Sequence, residues 1–161
     1  FIAADGLRVV EIPVAERGEP VTFSGELDTG ATITDADVAG DVVVVNFWYA
    51  ACGPCRAEAP ALEEAHGAFD GEEVTFLGIN TTDSAGTALA FAETYGVTYP
   101  SVLASVTPEV KLAFAEKTPI SATPTTLVLD AEGRVAARII GQLQDASVLE
   151  TLVSDALAET S

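Results

Sequence analysis

At 161 residues the chain is long enough for one domain with a good core, and its 48% hydrophobic content argues for a globular fold rather than a disordered chain. Seven basic residues against 25 acidic ones give a net charge of −18. That balance argues against nucleic acid and against anionic membrane surfaces, both of which are bound by clustered Lys and Arg; the acid surplus reads as an adaptation for solubility. No apolar run reaches the roughly 18 residues of a membrane span.

The predicted elements follow in chain order. Residues 1–20, with Pro13, Gly18 and Pro20, are extended and turn-rich and are expected to lie on the domain as an N-terminal arm; residues 21–161 are expected to form one domain. Val21 to Ser24 and Ala31 to Ile33 flank ELDTG, a hairpin signal. Thr34 and Asp37 stand at capping-box spacing, which predicts a short helical turn. VVVVNFW, residues 42–48, is too continuously apolar for an edge strand and predicts a central strand covered on both faces. A helix is expected over 53–69, interrupted by Pro60, then a buried strand from Val74 to Ile79. Gly71 and TTDSAG, residues 81–86, read as ordinary loops. Ala88, Phe91, Ala92 and Tyr95 recur at i, i+3, i+4, i+7 in a helix from Ser84 to Tyr95. A short strand over 101–103 precedes Thr107-Pro108, which fits the cap and first position of another helix. Thr125 to Leu129 and Arg134 to Ile140 form strands around the tight turn DAEG, and Ser147 and Glu150 open a last helix. Strands alternating with helices and ending in a hairpin and a helix define an α/β fold, one mixed sheet with helices on both faces.

Both cysteines of the chain, Cys52 and Cys55, lie in FWYAACGPCRAEAP, residues 47–60. Three uses compete. Tetrahedral zinc needs four ligands; CxxC supplies two and His66 is the only histidine. A structural disulfide across a two-residue gap closes too small a loop to stabilise much. A redox pair needs two thiols close enough to exchange a bond repeatedly, and the surroundings favour it. The pair falls where a buried strand ends and a helix begins, where free N–H groups and the macrodipole stabilise a thiolate at Cys52. Pro54 fits the first helical turn, Gly53 leaves room for another chain's backbone, and Cys55, one turn inside, is shielded and suited to resolving a mixed disulfide on Cys52.

NFWYAACGPCRAEAP resembles the active-site segment of the thioredoxin fold, closest to the extracytoplasmic TlpA/ResA-like branch of thiol–disulfide oxidoreductases. VTFSGELDTGATITDADVAGDVVVVNFW is similar to that branch's N-terminal hairpin and first central strand. VTFLGINTTDSAGTALAFAETYGVTYPSVL is similar to its next strand with an inserted helix, and SATPTTLVLDAEGRVAARIIG to its proline-led C-terminal hairpin. The opening, FIAADG…VVEIPVAERGEP, resembles actinobacterial members.

The resemblance makes Cys52 the nucleophile, Cys55 the resolving cysteine and Pro124 a cis-proline facing them, with the Thr123 backbone pairing a client's extended segment. Trp48, Gly53 and Pro54 complete the client-binding surface, and Pro60 kinks the helix. It also places a partly buried Glu at Glu58, three residues after Cys55, expected to manage the Cys55 proton with a raised pKa, while the strand position that is Asp in cytoplasmic thioredoxins is Asn46. The family's aromatic before the first cysteine is here Ala51, which removes apolar contact area at the rim. His66 faces neither cysteine and is expected at the surface. The implied function is reduction of disulfides in protein clients, above all the CxxCH haem-attachment thiols of apocytochrome c, with electrons from a thiol-reducing membrane donor. No cofactor beyond the cysteine pair, no metal and a monomer are expected. The start FIAADG and the lack of any Met suggest a mature form, extracytoplasmic, whose anchor has been removed. The alternatives are a disulfide-donating oxidase, a thiol peroxidase, against which residues 46–55 lack a PxxxT/S-x-x-C setting, and a binding module with incidental cysteines.

Overall fold

The computed structural model describes residues 7–120 and 122–159. Its centre is β4, Val42–Trp48, all seven residues of which are buried. Alternation along this strand serves both faces of the sheet: Val42 and Val44 join one core cluster with Leu62, Ala65, Leu149 and Val153, whereas Val43, Val45 and Phe47 join another with Phe23, Val110 and Phe114. A strand that must be apolar on both sides reads in sequence as a continuous apolar run.

β5, Val74–Asn80, pairs parallel to β4 on one side, and β6, Ser101–Leu103, extends the sheet parallel to β5. On the other side β7, Thr125–Leu129, runs antiparallel to β4 and is followed by β8, Val135–Ile140. The outermost strand there is β1, Arg8–Glu11, paired antiparallel to β8, so residues 8–11 are part of the sheet rather than an arm laid over it. Residues 1–6 of that predicted arm lie outside the described residues. The hairpin strands are β2, Ser24–Glu26, and β3, Thr32–Thr34, both later in the chain than predicted, β2 by about a strand's length and β3 by one residue. Val21 and Phe23 are buried, but their backbone partners are the Gly133 carbonyl and the Asp35 carboxylate. Their apolar alternation therefore marked burial, not strand pairing.

Among the described residues four α-helices cover the sheet. α1, Gly53–Ala68, and α4, Ser147–Ala158, share one face, with α2, Ala85–Tyr95, beside them. α3, Glu109–Ala115, packs on the opposite face with β2 and the short 3-10 turn Asp35–Val38, which carries the predicted capping box of Thr34 and Asp37. α4 buries Leu149, Leu152, Val153 and Ala156, each larger side chain contributing about 1.5–3 kcal/mol.

Several local expectations shift. α1 runs unbroken through Pro60, which is tolerated at the cost of one helical hydrogen bond. α3 starts one residue later than predicted, because the Thr107 hydroxyl does not cap it but accepts the Glu26 N–H at 3.2 Å, tying the helix to the hairpin. His66 is only partly exposed; its ring packs against Phe76 and Tyr99, with centroids 5.1 and 5.5 Å away.

Candidate active site

β4 delivers the chain to the sheet's end, residues 49–51 turn it, and α1 begins. Cys52 is the cap residue of α1, and its Sγ accepts the Cys55 N–H at 3.2 Å. Cys52 and Cys55 are joined in a disulfide, with Cα atoms 5.2 Å apart. Pro54 sits in the first turn, where a missing N–H breaks no helical bond. Gly53 has open space where a side chain would stand. Both cysteines are largely covered, Cys52 at 4% and Cys55 at 3% exposure, so the shielding expected of the second extends to the first.

The Thr123–Pro124 peptide bond is cis. It brings the Thr123 carbonyl oxygen to 3.9 Å from Cys52 Sγ. Thr123 is half-buried and borders a groove of about 460 Å³ that also contains Phe47, Tyr49, Thr81, Leu112 and Ala122. Trp48 closes another side: its indole lies 4.4 Å from the Phe91 ring and donates Nε1–H to Ser101 Oγ at 2.9 Å. Position 78 must be glycine for this contact, since a Cβ there would collide with Ser101 Oγ and come within 2.8 Å of the indole nitrogen.

Glu58, one turn along α1 from Cys55, is fully buried. Its Oε2 accepts from Asn46 Nδ2 at 2.8 Å and its Oε1 from the Leu143 N–H at 3.1 Å. Asn46 also donates to Thr126 Oγ1 at 3.1 Å, so the carboxylate is gripped between β4 and the loop after β8. Burial pushes its pKa up to about 7, against the opposing pull of the Leu143 and Asn46 donors.

Sequence reasoning passed over the bracing of residues 49–51. The Asp83 carboxylate accepts the Ala50 N–H at 2.7 Å and Asn80 Nδ2 at 2.9 Å, while Asn80 Oδ1 accepts the Thr82 and Asp83 N–H groups. Arg56 Nε donates to the Ala50 carbonyl at 2.9 Å. The segment read as an ordinary loop therefore fixes the approach to Cys52; the Asn-x-x-Asp spacing after a buried strand was its only trace. Among the described residues no group of three or more His, Cys, Asp and Glu is arranged to hold a metal ion, and no helix is long and apolar enough to cross a membrane.

A disulfide at a helix N-terminus beside a cis-proline, on a mixed sheet with helices on both faces, defines a thioredoxin-like redox protein. Residues 18–138 match the AhpC/TSA family, and the chain belongs to it. The chain is 31% identical over 153 residues to the thiol:disulfide interchange protein HelX of Rhodobacter capsulatus, covering 93% of this chain and 82% of that one. It is 26% identical over 135 residues to the thiol-disulfide oxidoreductase ResA of Bacillus subtilis, 84% of this chain and 73% of the relative. The crystal structure of a DsbF homologue from Corynebacterium diphtheriae superposes with a TM-score of 0.80 at 31% identity, covering 96% of this chain and 97% of the other. The protein is a thiol–disulfide oxidoreductase of the ResA/DsbE type, with its cysteine pair at Cys52 and Cys55.

Proposed function

We propose that the protein is a reductase of client disulfides outside the cytoplasm, with the haem-attachment thiols of apocytochrome c as the client class. The observation that carries the reading is the buried carboxyl of Glu58, poised near 7, one helical turn from the resolving cysteine. Reduced Cys52, its thiolate favoured by the α1 N-terminus, attacks a client disulfide and forms a mixed disulfide. Cys55 then loses its proton, attacks Cys52 Sγ and releases the second client thiol. Glu58, from within α1, governs how readily that proton leaves. The client's extended segment lies along the Thr123 backbone, in the groove bordered by Tyr49 and Leu112, with Gly53, Pro54 and Trp48 flanking the sulfur. Ala50 and Ala51 leave that rim low, which suits a client with bulk of its own beside the disulfide. Electrons return to Cys52–Cys55 from a thiol-reducing partner in the membrane. The cycle needs no cofactor, and one copy carries the complete site.

The test is the reduction potential of the Cys52–Cys55 pair, by equilibration against graded thiol–disulfide buffers. A value at or below about −250 mV, in the thioredoxin region, supports a reductase; one near −120 mV, roughly that of a strong oxidant, makes the protein a disulfide donor. A CxxCH peptide in its disulfide form, offered to the reduced protein, then tests the client class. Failure to reduce it faster than an unrelated peptide disulfide removes that assignment.

A further inference from the structure

Cys55 forms part of the wall of a small buried cavity of about 20 Å³. Asn46 and Trp48 from β4, Tyr99 and Ser101 at the start of β6, and Asp28 from the β2–β3 turn supply its polar lining. Asp28 is the unexpected member. An aspartate in a hairpin turn ordinarily faces water, yet this one is only 7% exposed. The turn is pinned to the edge of the sheet: the Asp28 N–H donates to the Ser101 carbonyl at 2.8 Å, and Leu27 bridges to Val102. The carboxylate is thereby carried inside, and its Oδ1 is buried with no hydrogen-bond partner in the protein.

A buried carboxylate oxygen without a donor is costly. The cavity offers the remedy, because one water needs about 10–15 Å³ of such space and two to four polar partners. Asp28, Tyr99, Ser101 and Cys55 are among the residues lining it. Glu58 is not among the residues lining this cavity; both of its oxygens are engaged elsewhere, by Asn46 and Leu143.

We propose that Asp28, acting through one water held in this cavity, is the acceptor of the Cys55 thiol proton during resolution. The inference rests on the reading of Cys55 as the resolving thiol, and leaves Glu58 to set the electrostatic field in which that proton departs. In the step, the Cys55 S–H bond breaks, its proton passes to the water and a water proton passes to Asp28 Oδ1. The Cys55 sulfur bonds to Cys52 Sγ as the Cys52–client bond breaks. The client leaves as a thiolate and is protonated by solvent; its former disulfide has gained two electrons and the protein's pair has lost them. Asp28 later returns its proton when the pair is reduced again. Besides Cys55, the titratable groups lining the cavity are Asp28 on the hairpin and Tyr99, whose phenol is kept protonated by burial and by the Glu58 and Glu63 charges; Glu58 lies outside the cavity, one turn along α1 from Cys55. No Lys or Arg is among the described residues lining the cavity. Burial also raises the Asp28 carboxyl above the ordinary aspartate range, against the opposing pull of the Ser101, Asp28 and Thr29 backbone groups, the direction that favours holding a proton.

The experiment is single-turnover reduction of a peptide disulfide by the reduced full chain, with attack and resolution followed as separate phases across pH, in the unmodified protein and in Asp28→Asn. The expected result is resolution slowed by about tenfold at pH 7 with an altered pH profile, while the attack phase is unchanged. Unchanged resolution, or an equal fall in both phases, overturns the proposal. A high-resolution crystal structure of the unmodified protein gives a second reading that no variant can spoil. A water within hydrogen-bond distance of both Asp28 Oδ1 and Cys55 Sγ supports the route, and its absence there overturns it. Absence of the attack phase in the unmodified protein would instead sink the oxidoreductase mechanism on which the route depends.

Discussion

Replacing Glu58 by Gln removes a buried acid while nearly keeping its shape. In the fold the carboxyl holds its proton up to about pH 7, against an ordinary value of 4.5. A tenfold change in proton affinity is worth about 1.4 kcal/mol, so the ionised form fits the fold worse than the neutral one by about 3 kcal/mol. Between pH 4.5 and 7 the folded protein keeps a proton that the unfolded chain has released. The stability contributed by the neutral carboxyl is therefore fully present below about pH 4.5, declines as pH rises through 7, and is gone above it. In Glu58→Gln that decline has no source. Gln Oε1 can still accept the Leu143 N–H, but its amide nitrogen meets Asn46 Nδ2, so Asn46 must turn over and present its oxygen. That cost is independent of pH. Urea melts of the oxidised protein from pH 4 to 9 measure the difference between variant and unmodified protein, in which the titration of the other acidic residues cancels. The difference should move in the variant's favour by about 3 kcal/mol across that range, with its midpoint between pH 5 and 7. A difference that stays flat refutes the buried, titrating carboxyl.

Other outcomes follow from the same contacts. Asn46→Ala removes a donor that favours the ionised Glu58, so the decline in stability should shift to higher pH in the same melts; a shift to lower pH would contradict the assigned bond. Cys55→Ser should accumulate a mixed disulfide with a peptide client on non-reducing gels, and Cys52→Ser should not; the reverse pattern exchanges the two roles. Gly78→Ala should cost about 1–3 kcal/mol by crowding Ser101 and Trp48, and should alter the emission of Trp48, the sole tryptophan. Unchanged emission and melting temperature would mean that the strand yields freely there. Arg17→Ala breaks a bidentate contact to Glu159 and a 3.0 Å contact to Asp130, both far from the cysteines in the chain. It should lower stability by about 1–3 kcal/mol and leave the reduction potential unmoved.

What was legible in the sequence had a local cause. The apolar run of β4, the Gly-Pro between the cysteines, the stripe of α2 and the capping box at Thr34 all declare themselves within a few residues. What was hidden depends on partners far apart in the chain. The grip on Glu58 uses an N–H 85 residues later, at Leu143, which no periodicity announces. Asp28 looks like any turn aspartate until the hairpin is laid against β6, and Asp83 looks like loop until it is found holding the Ala50 N–H. β1 is four residues long and owes its place to pairing with β8 rather than to any strong pattern of its own.

Two of these hidden arrangements, at Glu58 and Asp28, share one feature: each holds a polar group where packing alone would prefer an apolar one. Glu58 is enclosed in the layer between α1 and the sheet, where a Leu would bury as well and would escape the ionisation penalty. Asp28 could make its turn from the surface, yet its carboxylate is held inside with an oxygen unpaired. Both costs fall near Cys55, on α1 and in the wall of a shared cavity, whereas Cys52 stands at the N-terminus of α1, whose dipole would serve its thiolate in the proposed cycle. The division follows from the chemistry of the two sulfurs. In the proposed cycle, attack by Cys52 needs a thiolate already formed, which fixed dipoles supply. Resolution by Cys55 would then need a proton to leave a covered thiol at one moment and return at another, which fixed dipoles cannot do and titrating carboxyls can.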